Sequence, residues 1–329
     1  MICVKMELGW IQQMYIFLDI VKEFTCEMCG LCCRNDWQVT LDEDSYYKNK
    51  QLFIKSDRGE EFSKAFIPLT GERGLGEYAY IAKQDKGGCW FLAENNRCQL
   101  QCEAGHNHLD HVCQTFPRYP MDTARGTELT LSFSCPAVIK MASRSTPLAI
   151  VRSEVSPIFI NPNNDVVHVY PQQQPDWEPL RYYFELEQHF IDIMQCRSIT
   201  IRERLQMIKA TIQVLHCLNR NEDLGQQLNK IVYANYEVLD EHAAVEQHAG
   251  LDMPAILLEN FFVNFIFKKP FYIYGLQPGM QLLENIWQRI EIAREAIIDL
   301  AMAMESTQSI IMEVEFQYSH NRRSLFLGS

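Results

Sequence analysis

The sequence predicts an α-rich α+β fold in which an irregular, cysteine-rich module packs against a helical C-terminal region. Two observations carry that expectation. Nine of the 12 cysteines lie between Cys26 and Cys135, in a stretch with little helical periodicity. Beyond Glu178, apolar residues recur close to every 3.6 positions, as on one face of a helix. The 329 residues suit two units of about 100–200 each. We divide them into a cysteine-rich module at 1–145, a proline-rich crossover at 146–177 and a helical domain at 178–329.

The elements follow in chain order. Leu41–Lys48 reads as a short helix with acids in its first turn, where the helix dipole favours them. Tyr78–Ala82 and Thr127–Phe133 alternate like strands. Gly87–Pro120 is dense in Gly, Cys, Asn and Pro and reads mostly as loop. Prolines recur through Pro157–Pro179, which marks the crossover. Glu178–Gln195 places Leu180, Tyr183, Phe184, Leu186, Phe190, Ile191 and Met194 on one helical face. Thr200–Leu218 opens with Thr200 and carries Glu203 three positions later, a capping-box pattern. Ala255–Phe267 and Gly279–Met304 complete the predicted helices, and the aromatic set Phe261, Phe262, Phe265, Phe267, Phe271, Tyr272 and Tyr274 reads as helix core.

Composition excludes several classes. A formal charge of −12 and a pI near 5.3 oppose broad nucleic-acid binding, which needs a basic footprint on phosphates. They also disfavour an anionic membrane surface and favour a lysine-bearing partner. Apolar runs such as Phe261–Phe267 fall short of the roughly 20 residues a bilayer span needs. Lys5, Glu7 and Asp19 interrupt the N-terminal stretch, and no small-residue cleavage site follows, so no secretory signal is expected. These features predict a cytoplasmic chain, where thiols stay reduced and clustered cysteines read as metal ligands rather than disulfides.

The first cluster is Cys26-x-x-Cys29-x-x-Cys32-Cys33. Two residues between cysteines turn the chain back, so both thiolates reach one ion. Gly30 eases that turn by permitting positive φ. Adjacent Cys32 and Cys33 tend to diverge; one ligates while the other packs, or the two serve neighbouring metals. The second cluster is wider: Cys89, Cys98, Cys113 and Cys135, with Cys102 evenly poised between ligand and filler. Folding must bring these together. His106, His108 and His111 lie among them as possible imidazole ligands, though an exposed polar loop is the plainer reading. Cys3, Cys196 and Cys217 stand alone and read as small buried hydrophobes. An all-thiolate set suits an iron–sulfur cluster or zinc, and spacing does not choose between them.

Other chemistry is thinner. Gly71-Glu-Arg-Gly74-Leu-Gly76 does not open a helix after a strand, so it reads as a surface turn rather than a nucleotide loop. The radical triplet C-x-x-x-C-x-x-C is absent. Cys113 beside His111 can be drawn as a nucleophile and base, but the neighbouring cysteines favour ligation. Trp37 either shields the cluster from water or packs in the core, and Arg118 either grips a carboxylate or makes a structural ion pair.

Several segments, in order, resemble the flagellin lysine-N-methylase family: Phe24–Asp42 (FTCEMCGLCCRNDWQVTLD), Cys89–Leu92 (CWFL), Cys98–Leu100 (CQL), Cys113–Arg118 (CQTFPR) and Leu131–Pro136 (LSFSCP). Arg202–Leu205 (RERL), Leu258–Lys268 (LENFFVNFIFK) and Glu315–His320 (EFQYSH) extend the likeness through the C-terminal half. The cysteine part alone is also similar to a broader group of zinc- or iron-chelating cysteine-cluster proteins, which lacks the helical half. The resemblance implies transfer of methyl groups from S-adenosylmethionine to lysine ε-amines of flagellin or another lysine-bearing protein, with the thiols as a metal centre. Such a transfer needs a base for the lysine, and Asp36, Glu77, Tyr78 and His320 are the candidates. A non-catalytic zinc- or iron-binding protein, for storage, delivery or sensing, is the alternative.

Overall fold

The structure, a computed structural model, describes residues 14–35, 37–71, 76–158, 167–218, 222–245, 252–295 and 300–326. Strand β1 (Tyr15–Leu18) opens the fold and passes into the short helix α1 (Ile20–Glu23), capped by Asp19. The chain then makes a long excursion before returning to the same sheet. That excursion holds α2 (Leu31–Arg34), β2 (Thr40–Leu41), α3 (Glu43–Lys55), α4 (Gly59–Ala65), β3 (Phe66–Pro68), β4 (Ala79–Ile81), α5 (Gln99–Ala104) and α6 (His111–Thr115). Asp42 caps α3 by accepting from the Ser45 amide at 2.6 Å, so the helix expected at Leu41–Lys48 starts two residues later and runs longer. Strands β2, β4 and β3 form a small antiparallel sheet. Around it Val39, Leu41, Phe53, Phe62, Phe66, Phe91, Leu100 and Leu109 build a core of their own.

The main sheet has the order β7-β1-β6-β5-β8, with β5 (Arg118–Thr123), β6 (Gly126–Leu131), β7 (Ile150–Ser153) and β8 (Val167–Val169). It is mixed: β1 runs parallel to β6 and β5 to β8, while β5–β6 and β1–β7 are antiparallel. The β5–β6 hairpin turns at Gly126, whose φ is 128°. A Cβ there would lie 2.1 Å from the Met14 carbonyl oxygen, so only glycine fits. Helix α7 (Pro136–Ala142) follows β6, with Pro136 in its first turn.

The expected crossover at 146–177 contributes β7 and β8 to this sheet. Ile150, Val151, Val167 and Val169 are β-branched residues that extend existing edges. Consequently β1, β5 and β6, all within 1–145, share the large core with the C-terminal helices rather than with the cysteine-rich excursion.

The helical half runs α8 (Tyr183–Gln195), α9 (Ile201–His216), α10 (Leu224–Val245), α11 (Met253–Phe267), α12 (Pro270–Ile273), α13 (Leu276–Glu295) and α14 (Leu300–Phe326). Thr200 and Glu203 form the reciprocal capping box of α9. The run expected as one helix at Gly279–Met304 belongs to two, α13 and α14. Helix α11 is apolar nearly all round, the pattern of a helix buried on every side. It packs on α8, α14, α7 and β6. Its two buried asparagines fasten the chain near Cys135: Asn264 donates to the Leu131 carbonyl at 2.9 Å and Asn260 to the Ala142 carbonyl at 2.8 Å. Among the described residues no helix is long and apolar enough to cross a membrane.

Candidate metal centre

The first cluster is pinned by backbone. Gly30 adopts φ 72° and caps α2, which carries Cys32 and Cys33. A Cβ at Gly30 would come 3.0 Å from the Asn96 carbonyl oxygen and 3.2 Å from Leu92, so glycine lets this loop lie against the turn at 92–97. The Cys89 amide donates to the Cys33 carbonyl at 2.7 Å. Arg34 donates to the Cys29 carbonyl at 3.1 Å and also bonds the Asn96 side chain. Two segments more than fifty residues apart in sequence are thus tied by two hydrogen bonds, Cys89 to Cys33 and Arg34 to Asn96, and by the close approach at Gly30.

The second cluster closes round the same place. Cys89 and Cys98 bracket a tight hairpin, in which Leu92 pairs with Cys98 and Asn96 takes the left-handed φ of 67°. Cys113 sits on α6, whose cap Asp110 accepts from the Val112 amide at 3.1 Å. Cys135 caps α7, and the Ala137 and Val138 amides point at its sulfur.

Electrostatics shows which thiols are neighbours. Cys32 and Cys33 lie 4.0 Å apart, sulfur to sulfur. Their hydrogen bond pulls the Cys32 thiol down to about 7, and the same bond with burial pushes Cys33 far up. Burial raises Cys89, Cys98 and Cys113, and burial lifts Cys135 to about 11. Each of these five also feels the charge of Cys32, and Cys135 feels Cys29 as well. Cys32 is therefore the common neighbour of the inner group. Cys113 itself is exposed on α6.

Five thiols that resist ionisation around one, Cys32, that ionises more readily are donor chemistry a cation suits, because a bound metal deprotonates its ligands. In that sense the inner residues fit zinc or an iron–sulfur cluster. Among the described residues, though, no three His, Cys, Asp or Glu side chains stand in a ready metal-binding arrangement. The sulfurs gather; they do not already surround one point.

The remaining expectations distribute as follows. Cys26 is exposed, takes the Met28 amide at 3.3 Å and lies near Arg118 rather than in the inner group. Cys102 is exposed one helical turn from Cys98. Cys196 bonds Ser198 at 3.0 Å and Cys217 is exposed, both on the helical side. The histidines turn to other partners: His108 meets Asn49 at 3.3 Å, His111 meets Asp42 at 3.3 Å, and His106 is exposed. Arg118 stacks over Phe24 at 5.0 Å and reaches the Phe24 carbonyl. Tyr78 bonds Tyr47 at 3.0 Å just before β4, and Glu77 precedes it. Cys3, Asp36, Gly74 and the side chain of His320 lie outside the described residues. Trp37 packs on Phe116 at 4.9 Å and on Phe316 of α14 at 5.8 Å, joining the cysteine-rich excursion to the helices.

Sequence reasoning passed over two features. One is a set of buried ion networks, among them Arg204 and Arg197 on Glu259. Lys269 contacts Glu128 and Glu187 with Arg125 alongside, and Lys268 pairs with Glu315, all in the interior. The signal was two lysines ending a largely apolar helix, where a buried charge needs a partner. The other is a recess of about 230 Å³ next to the thiols, lined by Leu31, Asn35, Ser134, Met312, Glu313 and Phe316. Its walls come from α2, the residue before Cys135 and α14, far apart in sequence. Comparisons with protein-family models, with curated proteins and with solved structures return no match.

Proposed function

We propose that the thiols around Cys32 bind an iron–sulfur cluster, or alternatively zinc, at the centre of a protein-lysine N-methyltransferase acting on flagellin or another lysine-bearing protein. The observation that carries the metal half is the gathering of Cys33, Cys89, Cys98, Cys113 and Cys135 about Cys32 from segments spanning more than a hundred residues. A fold with no use for these sulfurs has no reason to desolvate so many ionisable thiols against one another. Cys32, Cys33, Cys89, Cys98 and Cys113 would hold the metal, with Cys29 and Cys135 beside them. The methyl-transfer half rests on the resemblance of the ordered motifs from Phe24 to His320.

S-adenosylmethionine, when bound, would supply the methyl group on a positively charged sulfur. The chain's part is to orient the lysine nitrogen, keep water away and take up the proton that the nitrogen sheds. A recess beside the thiols, walled by both halves of the chain, suits that part.

Purification without oxygen tests the metal. Visible thiolate-to-iron absorption selects iron–sulfur, and a colourless protein with stoichiometric zinc selects zinc. Calorimetric titration with S-adenosylmethionine and mass analysis of lysines on co-expressed flagellin test the transfer. Metal without heat or added methyl groups would leave a non-catalytic metal-binding protein.

A further inference from the structure

The recess beside the thiol cluster has two unlike ends. Leu31, Met312 and Phe316 make it apolar along its walls, while Glu313 stands exposed at one side. Ser134, only 4% exposed, also lines it. That serine is the outer member of a buried chain: Ser134 and Ser132 share a hydrogen bond of 2.8 Å, and Ser132 donates to Glu315 Oε1 at 3.3 Å. Glu315 is fully buried and pairs with Lys268 through the same Oε1. Its second oxygen, Oε2, has no hydrogen-bond partner among the described residues. A buried carboxylate oxygen without a donor is costly, and such atoms call for an explanation.

We infer that this recess receives the side chain of the substrate lysine, its alkyl stem against Leu31, Met312 and Phe316 and its nitrogen toward the hydroxyl of Ser134. The inference rests on the lysine-methylation reading above and deepens it. Size argues for a side chain rather than the methyl donor: about 230 Å³ lies below the roughly 300–1,000 Å³ of sites for whole small-molecule ligands, and a nucleoside needs the larger kind. Chemistry argues for lysine: an apolar stem with a cationic tip matches apolar walls with polar ends. Glu313 Oε1 already accepts from Arg289 and Gln317, which leaves Oε2 to attract an incoming ammonium. Lys268 neutralises Glu315 on one side only, so the Ser134–Ser132–Glu315 chain keeps its acceptor end.

Nα-acetyl-lysine methylamide is the probe, with the norleucine analogue as its uncharged match, each titrated by ligand-observed NMR against the full metal-loaded chain. The lysine compound binds and the norleucine compound binds at least about tenfold more weakly, the scale of one hydrogen bond to a charged group. Met312→Trp fills the recess and abolishes binding, whereas Met312→Leu, a near-isosteric control, retains both binding and melting temperature. Ser134→Ala weakens the lysine compound about tenfold or more and leaves the norleucine compound unchanged. Equal binding of the two compounds, or unchanged binding to a folded Met312→Trp, overturns the inference. So does loss of S-adenosylmethionine binding in Met312→Trp, which would give the recess to the methyl donor. Recess-dependent lysine binding without methyl transfer would instead sink the proposed reaction and leave the pocket; methyl transfer indifferent to Met312→Trp would do the reverse.

Discussion

Cys32 and Cys102 make the sharpest contrast between neighbouring thiols. Cys32 touches the charge of five other cysteines and carries a thiol near 7, so it is the residue most ready to ligate. Cys102 is exposed, one helical turn from Cys98. We predict that Cys32→Ser lowers metal affinity by more than the about 10–100-fold typical of an outer-shell group, while Cys102→Ala and Cys196→Ala keep full metal content by elemental analysis. Gly30 gives a second test. Its left-handed φ costs a non-glycine residue about 1–2 kcal/mol, and the added Cβ would press on the Asn96 backbone. Gly30→Ala should therefore lower stability by about that amount in chemical denaturation and weaken metal retention with it. These residues were legible in different degrees. The Cys26–Cys33 spacing is a local pattern that a sequence displays, because two intervening residues suffice to turn the chain, yet Cys26 lies exposed near Arg118. The grouping of Cys89, Cys98, Cys113 and Cys135 around Cys32 is set by tertiary folding, which no spacing encodes. The part played by Asn96, which seats Gly30, leaves no trace in composition.

At the scale of elements, helices with a clear apolar period were readable, α8 and α9 falling where the 3.6-residue pattern puts them, and α11 was readable as an unbroken apolar run. Helix α10 was not foreseen, since its apolar residues are diluted by Asn, Gln and acids over 22 residues. Strands β7 and β8 were hidden in a proline-rich stretch, where three or four β-branched residues are enough to extend an open edge. The ion networks bind these elements together, and they carry two predictions. Lys269 joins β6, through Glu128, to α8, through Glu187. Removing one partner of a buried pair strands the other charge, so Lys269→Met should destabilise by about 3–5 kcal/mol in denaturant unfolding. His189 of α8 accepts from Asn235 of α10 at 2.9 Å and is held neutral by burial, its pKa down to about 4. A lowered folded-state value means stability present above the unfolded value near 6.5 and lost as pH falls toward 4. Asp110, raised by burial to about 6, acts in the opposite sense over the same window: its contribution is full below 3.8 and fades as pH rises through 6. The comparison must therefore be between variants. His189→Gln should melt with a shallower acid decline than the parent between pH 6.5 and 4, and an unchanged slope would show that His189 is not the group responsible.

Over the whole molecule, the cysteine-rich excursion is an insertion between β1 and β5 rather than a separate N-terminal domain. Both ends of the insertion return to one sheet, so the thiols near its start, on α2, and near its end, on α6, are held by the same scaffold. Cys135 joins from just beyond β6, and α14 closes the recess from the far end of the chain. That arrangement explains why the cysteines divide the sequence so plainly while the hydrophobic core does not respect the same boundary. On the proposed metal reading, these thiols meet only in the folded chain, so added zinc or iron should raise the melting temperature by mass action.

The most direct measurement is iron, zinc and acid-labile sulfide content, with an absorption spectrum, on protein freshly purified without oxygen. The account predicts stoichiometric iron with sulfide and visible thiolate-to-iron bands, or one or more equivalents of zinc, either being lost in Cys32→Ser. Folded, active-looking material that carries neither metal at any meaningful occupancy, and takes up neither on reconstitution, would contradict it.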